Sequence, residues 1–271
     1  MSAVAITGAS GYVGSAIARC FRAQGWDVVE LGRRAARKYE LGGDVDWTEI
    51  DAFVHCAWDF RLTRREDIER VNVQGSIRLM EGASASGVKR GVFISSLSCF
   101  EGCRSLYGQG KLKVEREAAR LGYASVRPGL VYGETPGGMM GSLEKAVKAS
   151  PVVPLIGDGS APQYPVHEED LAELVYKLLS QSENPPVEPI AAAGGEAISF
   201  RELLRRVAAR HGKSPTFIPV PWRLILAGLR TMEWVGLNPP FRSDSLVGFI
   251  FQNPNPDFTM AHGITSFRPF Q

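Results

Sequence analysis

Several features are scarce in this chain of 271 residues, and each scarcity excludes something. It has 4 cysteines and 4 histidines. Cys20, Cys56, Cys99 and Cys103 form no Cys-x-x-Cys pair and the histidines are scattered, which argues against a zinc site or any other metal site. So few thiols in a chain of this length fit a reducing compartment better than a disulfide scaffold. Long apolar runs are missing too. The stretch Trp222 to Val235 is broken by Arg223, Arg230 and Glu233, so it is no membrane span. The first apolar run, Val4-Ala5-Ile6, is too short for a signal peptide, and the expected location is cytoplasmic. The formal net charge is only +2, so bulk charge makes no case for nucleic acid or an anionic membrane as partner. There is no internal repeat and no low-complexity tract.

The first half of the chain alternates short β-rich runs with helical periodicity, the pattern of a parallel sheet covered on both faces. Strands are predicted at Val4–Thr7, Asp27–Leu31, Ala52–His55, Gly91–Ser96 and Ala124–Arg127. Helices are predicted at Tyr12–Ala23, Glu66–Ser86 and Tyr107–Leu121. After Gly133, glycine and proline become dense, which predicts a loop-rich lobe. Further helices are expected at Glu168–Ser180, Phe200–His211 and Trp222–Val235, and a last strand at Ile190–Ala193. The expected fold is therefore α/β, a doubly wound parallel sheet of Rossmann type with a small C-terminal substrate lobe. Residues 1–132 would form the dinucleotide-binding domain and 164–193 would return to it, leaving 133–163 and 194–271 as the lobe.

Thr7-Gly8-Ala9-Ser10-Gly11-Tyr12-Val13-Gly14 follows a strand and opens a helix. In that context Gly8 permits a tight turn, Gly11 lets backbone amides approach a pyrophosphate, and Gly14 lets helix and strand pack closely. The helix start then offers unpaired N–H groups and a positive dipole end to the phosphates. The choice of dinucleotide falls at the end of the second strand. Gly32 stands where NAD binders place an acid, and Arg33 and Arg34 follow at once. Guanidinium groups suit the extra phosphate of NADP, which makes NADP the expected cofactor and NAD the less favoured one. Glu30 lies within the strand, one register off.

Tyr107 and Lys111 are four apart and share a helix face. An ammonium beside the phenol favours its ionised form, lowering a value of ~10 and making Tyr107 a candidate general acid or base. Ser95 and Ser96 stand at the carboxyl end of a strand, where a hydroxyl can polarise a carbonyl.

With these residues assembled, the chain resembles the extended short-chain dehydrogenase/reductases, in the NAD(P)-dependent epimerase/dehydratase group. The resemblance is carried by Thr7–Gly14, His55-Cys56-Ala57, Asn72-Val73-Gln74-Gly75, Ser95-Ser96, Tyr107–Lys111 and the run from Arg127 to Gly133, and it reaches His167–Leu171. It implies a catalytic set of Ser96, Tyr107 and Lys111, with Ser98 a weaker alternative for the serine. It also implies that Ala57 and Asp44 lie near the adenosine half of the cofactor, that Pro128 and Val131 flank the nicotinamide, and that Asn72 is structural. The helices Glu66–Ser86 and Leu112–Leu121 would be the surfaces of a homodimer. Gln163 departs from the pattern: nucleotide-sugar enzymes of the group often carry an arginine there to grip a diphosphate. The expected activity is NADP-dependent oxidoreduction or epimerisation at a carbinol or carbonyl of a small molecule, possibly a sugar nucleotide. The alternative is a non-catalytic, redox-sensing NADP-binding protein that gates a partner.

His55 is read as a buried, hydrogen-bonded core residue and His167 as a helix cap. Trp58, Phe60, Arg61, Tyr132, Met139 and Met140 are candidates to line a substrate mouth.

Overall fold

The computed structural model describes residues 2–134, 137–181, 185–237, 239 and 241–271. Among these, the main sheet has the order β11-β6-β5-β4-β1-β2-β3, with every neighbouring pair parallel. Its strands are β1 (Ala3–Thr7), β2 (Asp27–Gly32), β3 (Arg37–Lys38), β4 (Ala52–His55), β5 (Arg90–Ile94), β6 (Ala124–Pro128) and β11 (Ile190–Ala192). The order reverses between β1 and β4, so a crevice opens there at the carboxyl ends of the strands.

Side chains alternate between the two faces of each strand, and each face buries its own core. Val4, Ile6, Val54, Val92 and Ile94 point to one side, where α1 (Tyr12–Ala23) and α6 (Glu168–Ser180) supply Ile17, Phe21, Leu171, Leu174 and Val175. Ala5, Phe53 and Phe93 point to the other, against Leu79 and Met80 of α3 (Gln74–Ala85) and Val114 of α4 (Leu106–Arg120).

The expected helix Glu66–Ser86 is not uniform. A short turn α2 (Arg65–Asp67) leads into a π-helical segment, Ile68–Val73, before α3 begins. Residues 133–163 are more regular than their glycine content predicts. They contain α5 (Gly138–Ala149), β8 (Val152–Ile156) and β9 (Pro162–Gln163), following β7 (Leu130–Tyr132). α5 survives Gly138 and Gly141 because tertiary packing outweighs helix propensity: Met140 and Val147 are buried in a third core with Leu155, Leu203 and Val207. β10 (Pro165–His167) pairs with β7, β12 (Ile198–Ser199) with β9, and β13 (Thr216–Val220) with β8. The lobe is completed by α7 (Phe200–Arg210), α8 (Trp222–Trp234) and α9 (Ser243–Ile250).

The last segment of the chain packs against α6. Phe258 and Ala261, at the start and in the middle of α10 (Thr259–Ile264), are buried in the core of the main domain. Arg268 binds Asp170 through its backbone N–H at 2.8 Å and its side chain at 2.7 Å. An apolar anchor and a buried carboxylate pull this segment back onto α6.

Candidate active site

The glycine turn sits at the crevice between β1 and β4. Gly8 has φ +68, a left-handed conformation that favours glycine, and its carbonyl accepts from Gly11 N–H at 2.8 Å. A Cβ on Gly14 would stand far inside contact distance of the Gly8 carbonyl oxygen, so helix and strand close up only because Gly14 has none. α1 has no side-chain cap and no acidic residue in its first turn, and Ser10 and Gly11 are exposed. An open helix start of this kind fits a pyrophosphate. Tyr12 and Val13 are half-buried in the first turn of α1, and the Tyr12 ring lies where a Cβ on Gly137 would go.

Thr7 ties this turn to the next loop. Its Oγ1 accepts from Cys56 N–H at 3.1 Å and Ala57 N–H at 3.2 Å and lies 2.6 Å from His55 Nδ1. His55 Nε2 is 2.8 Å from Ser76 Oγ. His55 is thus a core histidine with both ring nitrogens engaged. Burial, aided by the Lys111 charge, pushes its pKa down to about 3. An unfolded histidine takes up a proton near ~6.5. The folded state therefore loses stability as pH falls from 6.5 towards 3. Urea denaturation across that range should show this fall, and a shallower one in His55→Gln; parallel curves would exclude His55 as the cause.

Arg33 and Arg34 are exposed on the turn directly after β2. Glu30 is paired with Arg22 at 2.5 Å, so the strand carboxylate is committed elsewhere. Asp44 is exposed on the loop between β3 and β4, and Ala57 is half-buried just past β4. Asn72, in the π-helical segment, grips the neighbouring loop from both sides. Its side chain accepts from Asp59 N–H at 2.7 Å and donates to Asp59 O at 3.0 Å. Pro128 ends β6 and Val131 lies in β7.

Ser96, Tyr107 and Lys111 come together beyond β5. Ser96 Oγ accepts from Ser98 N–H at 3.1 Å, and the Ser96 side chain is close enough to the Tyr107 phenol to favour its ionised form. Ser98 instead turns towards Gly248 of α9. Lys111 is buried, donates to Ile94 O at 2.6 Å and lies 4.5 Å from the ring centroids of Trp58 and Phe93. The lowered phenol expected from the sequence is not found. Burial holds the Tyr107 hydroxyl well above the usual phenol range, only partly offset by the Ser96 side chain. Lys111, 5.7 Å from the Tyr107 ring centroid, is itself pushed down to about 7 by burial. Desolvation of both groups outweighs their mutual attraction. At neutral pH the Tyr107 phenol is therefore protonated.

Trp58 and Phe60 flank the Tyr107 ring at 5.7 and 5.6 Å, and Phe60 is 68% exposed. Arg61 forms a bidentate pair with Asp59 at 2.9 and 2.6 Å. Tyr132 and Met140 do not line this mouth. Both are buried in the lobe core, Tyr132 against His167 and Phe270. Gln163 is buried and donates to Pro162 O at 2.7 Å. His167 caps α6, accepting from Glu169 N–H at 3.3 Å. Burial pushes the Cys56 thiol up to about 12 and Cys99 higher still, which disarms both as nucleophiles. Among the described residues, no group of three or more His, Cys, Asp or Glu side chains could hold a metal ion.

One residue of the site escaped sequence reasoning. Asp244 of α9 accepts from the N–H groups of Leu106 at 2.6 Å and Tyr107 at 3.0 Å. With Ser105, which accepts from Gly108 N–H at 3.1 Å, it caps the helix that carries Tyr107 and Lys111. Removing a cap costs about 1 kcal/mol. Asp244→Ala should lower kcat by roughly five- to tenfold with little change in NADPH affinity, and Asp244→Asn should recover part of the loss. Equal losses in binding and kcat would mean general unfolding instead.

A parallel sheet with a glycine turn at its switch point is the frame of a dinucleotide-binding enzyme. The chain belongs to the NAD dependent epimerase/dehydratase family, whose model matches residues 4–192. It is an NAD(P)-dependent enzyme of the extended short-chain dehydrogenase/reductase type. It is 28% identical over 256 residues to the ceramide reductase of Caulobacter vibrioides (strain NA1000 / CB15N), covering 86% of this chain and 78% of that one. It is 26% identical over 288 residues to the dTDP-4-dehydro-6-deoxy-D-allose reductase of Streptomyces bikiniensis, covering 85% and 87%. The fold also matches MoeE5 in complex with UDP-glucose and NAD, with a TM-score of 0.69, 24% identity, and coverage of 81% of this chain and 85% of that chain. Among the described residues no helix is long and apolar enough to cross a membrane.

Proposed function

We propose that this protein is an NADP-dependent reductase of a carbonyl carried on a small molecule with an apolar body. The observation that carries the reading is the grouping of Ser96, Tyr107 and Lys111 beyond the end of β5, beside a mouth built from Trp58 and Phe60. When bound, the dinucleotide supplies the hydride. Ser96 orients the substrate oxygen by hydrogen bonding. Tyr107 passes its proton to that oxygen, so a C=O bond becomes a carbinol with one hydride and one proton added. Lys111, 5.7 Å from the Tyr107 ring centroid, is the group whose protonation the phenolate left behind favours. The glycine turn holds the pyrophosphate, and Asp44, Ala57, Pro128 and Val131 line the rest of the cofactor cleft.

The NADP preference rests on Arg33 and Arg34 beside Gly32. Arg33→Ala with Arg34→Ala should weaken NADPH binding by at least about tenfold and leave NADH binding almost unchanged, as read by fluorescence titration. Equal effects on both cofactors would remove the preference.

The apolar substrate is supported by the exposed Phe60, by the buried Gln163 in place of a diphosphate-gripping arginine, and by the match to a ceramide reductase. A sugar nucleotide is the second reading, favoured by the dTDP-sugar reductase relative. NADPH consumption with a long-chain ketone in detergent micelles, compared with a nucleotide-linked keto sugar, separates the two. Turnover of the keto sugar alone would decide for the second. A homodimer through α3 and α4 also belongs to the proposal.

A further inference from the structure

α8 stands out because its sequence and its surroundings disagree. Not one of its residues is buried, although Leu224, Ile225, Leu226, Leu229, Met232 and Trp234 are large and apolar. At 3.6 residues per turn, Trp222, Ile225, Leu226, Leu229 and Glu233 fall on one side, and these are the half-buried ones that face the protein. The opposite side carries Leu224, Met232 and Trp234 and runs on into Val235 and Leu237. Trp234 is 86% and Leu224 65% exposed. Between them lie the exposed Ala227, Gly228 and Thr231, and an outward face carrying exposed large apolar side chains marks an interaction site.

Charge identifies the occupant. Between residues 213 and 237 the charged side chains are Lys213, Arg223, Arg230 and Glu233. Glu233 is turned inward, accepting from Ser243 N–H at 2.9 Å and Ser243 Oγ at 2.6 Å. The charges left at the outer face are therefore cations. Arg223 and Arg230, seven apart, fall two turns from one another on one edge of it, Arg223 over the Trp222 ring at 5.5 Å and Trp234 one turn beyond Arg230. An apolar stripe edged with arginine and tryptophan is the make-up of a helix that lies in a bilayer interface. At 13 residues α8 is too short to span one. The net charge of the whole chain conceals this local cluster.

The inner side of α8 is tied to the helix that carries the active site. The Trp222 ring packs on Phe251 at 6.0 Å, and the Arg104 guanidinium covers Phe251 at 4.1 Å. Arg104 adjoins Ser105, the cap of the helix that bears Tyr107. We infer that the outer face of α8 docks the enzyme on an anionic lipid surface, beside the mouth through which a substrate with an acyl chain enters. The inference rests on the apolar-substrate reading for its purpose, but membrane binding and turnover are measured separately.

The test is flotation of the full chain with phosphatidylcholine vesicles, with and without about 30 mol % phosphatidylglycerol. Wild type should float with the anionic vesicles, and less so as salt rises. Leu224→Ser with Trp234→Ser, and separately Arg223→Glu with Arg230→Glu, should each cut partitioning by about tenfold or more. Both should retain the wild-type circular dichroism spectrum and the turnover of a water-soluble ketone. Tyr107→Phe should lose turnover and still float, which separates failure of the docking from failure of the chemistry. No flotation of wild type overturns the proposal. So does a wild-type dimer in sedimentation that Leu224→Ser with Trp234→Ser converts to monomer, since a second copy would then cover the face.

Discussion

Tyr107→Phe is expected to lower kcat for carbonyl reduction by about 10²–10⁴-fold and to leave NADPH binding within about twofold. The ring stays, so its edge contact with Trp58 and its packing beside Phe60 stay as well. Only the hydroxyl is lost, and with it the one proton that the site holds next to Ser96. Ser96→Ala should be milder, because it removes the orienting hydrogen bond and not the proton. Lys111 offers no bypass: its Nζ donates to Ile94 O and is enclosed by Trp58 and Phe93. Steady-state kinetics with a fluorescence titration of NADPH reads both quantities. Unchanged kcat would show that the proton comes from elsewhere.

The largest expected loss of stability lies beneath that site. Glu115 is one helical turn past Lys111 on α4 and is buried. Arg127 of β6 holds both its oxygens, Nε to Oε1 at 2.8 Å and Nη2 to Oε2 at 2.5 Å. This pair fastens the catalytic helix to the sheet. Arg127→Met would leave the carboxylate buried without its partner, at a cost of about 3–5 kcal/mol. Replacing both members, Glu115→Leu with Arg127→Met, should recover most of that, since a well-packed apolar pair in such a place is often neutral. Urea midpoints of the single and double variants test this. A single variant as stable as wild type would mean that the pair anchors nothing.

The parts of the fold legible in the sequence were those fixed by local chemistry. α1 and β4 run over the residues that the apolar spacing marks, and the turn between β1 and α1 is written in Gly8, Gly11 and Gly14. The π-helical segment at Ile68–Val73 was not legible, because it goes with a long-range contact, Asn72 to Asp59, that periodicity does not encode. α5 was hidden by its glycines, and β8 and β13 of the lobe each carry a proline, Pro154 and Pro219, which argues against a strand when read from sequence. In the candidate site, the Tyr107–Lys111 spacing could be read but its electrostatics could not. Whether a phenol is raised or lowered depends on how deeply the fold buries it. Asp244 was out of reach for a related reason. It meets Tyr107 across 137 residues of chain, and nothing near either residue signals the other.

Transfer of deuterium from NADPH labelled at C4 of the nicotinamide is the most direct test of the site. Wild-type enzyme is incubated with the labelled cofactor and a long-chain ketone, and the product is read by mass spectrometry. One deuterium on the carbinol carbon with wild type, and almost none with Tyr107→Phe, is the expected result. Tight NADPH binding with no deuterium in either this product or that of a nucleotide-linked keto sugar would contradict a redox role for Ser96, Tyr107 and Lys111.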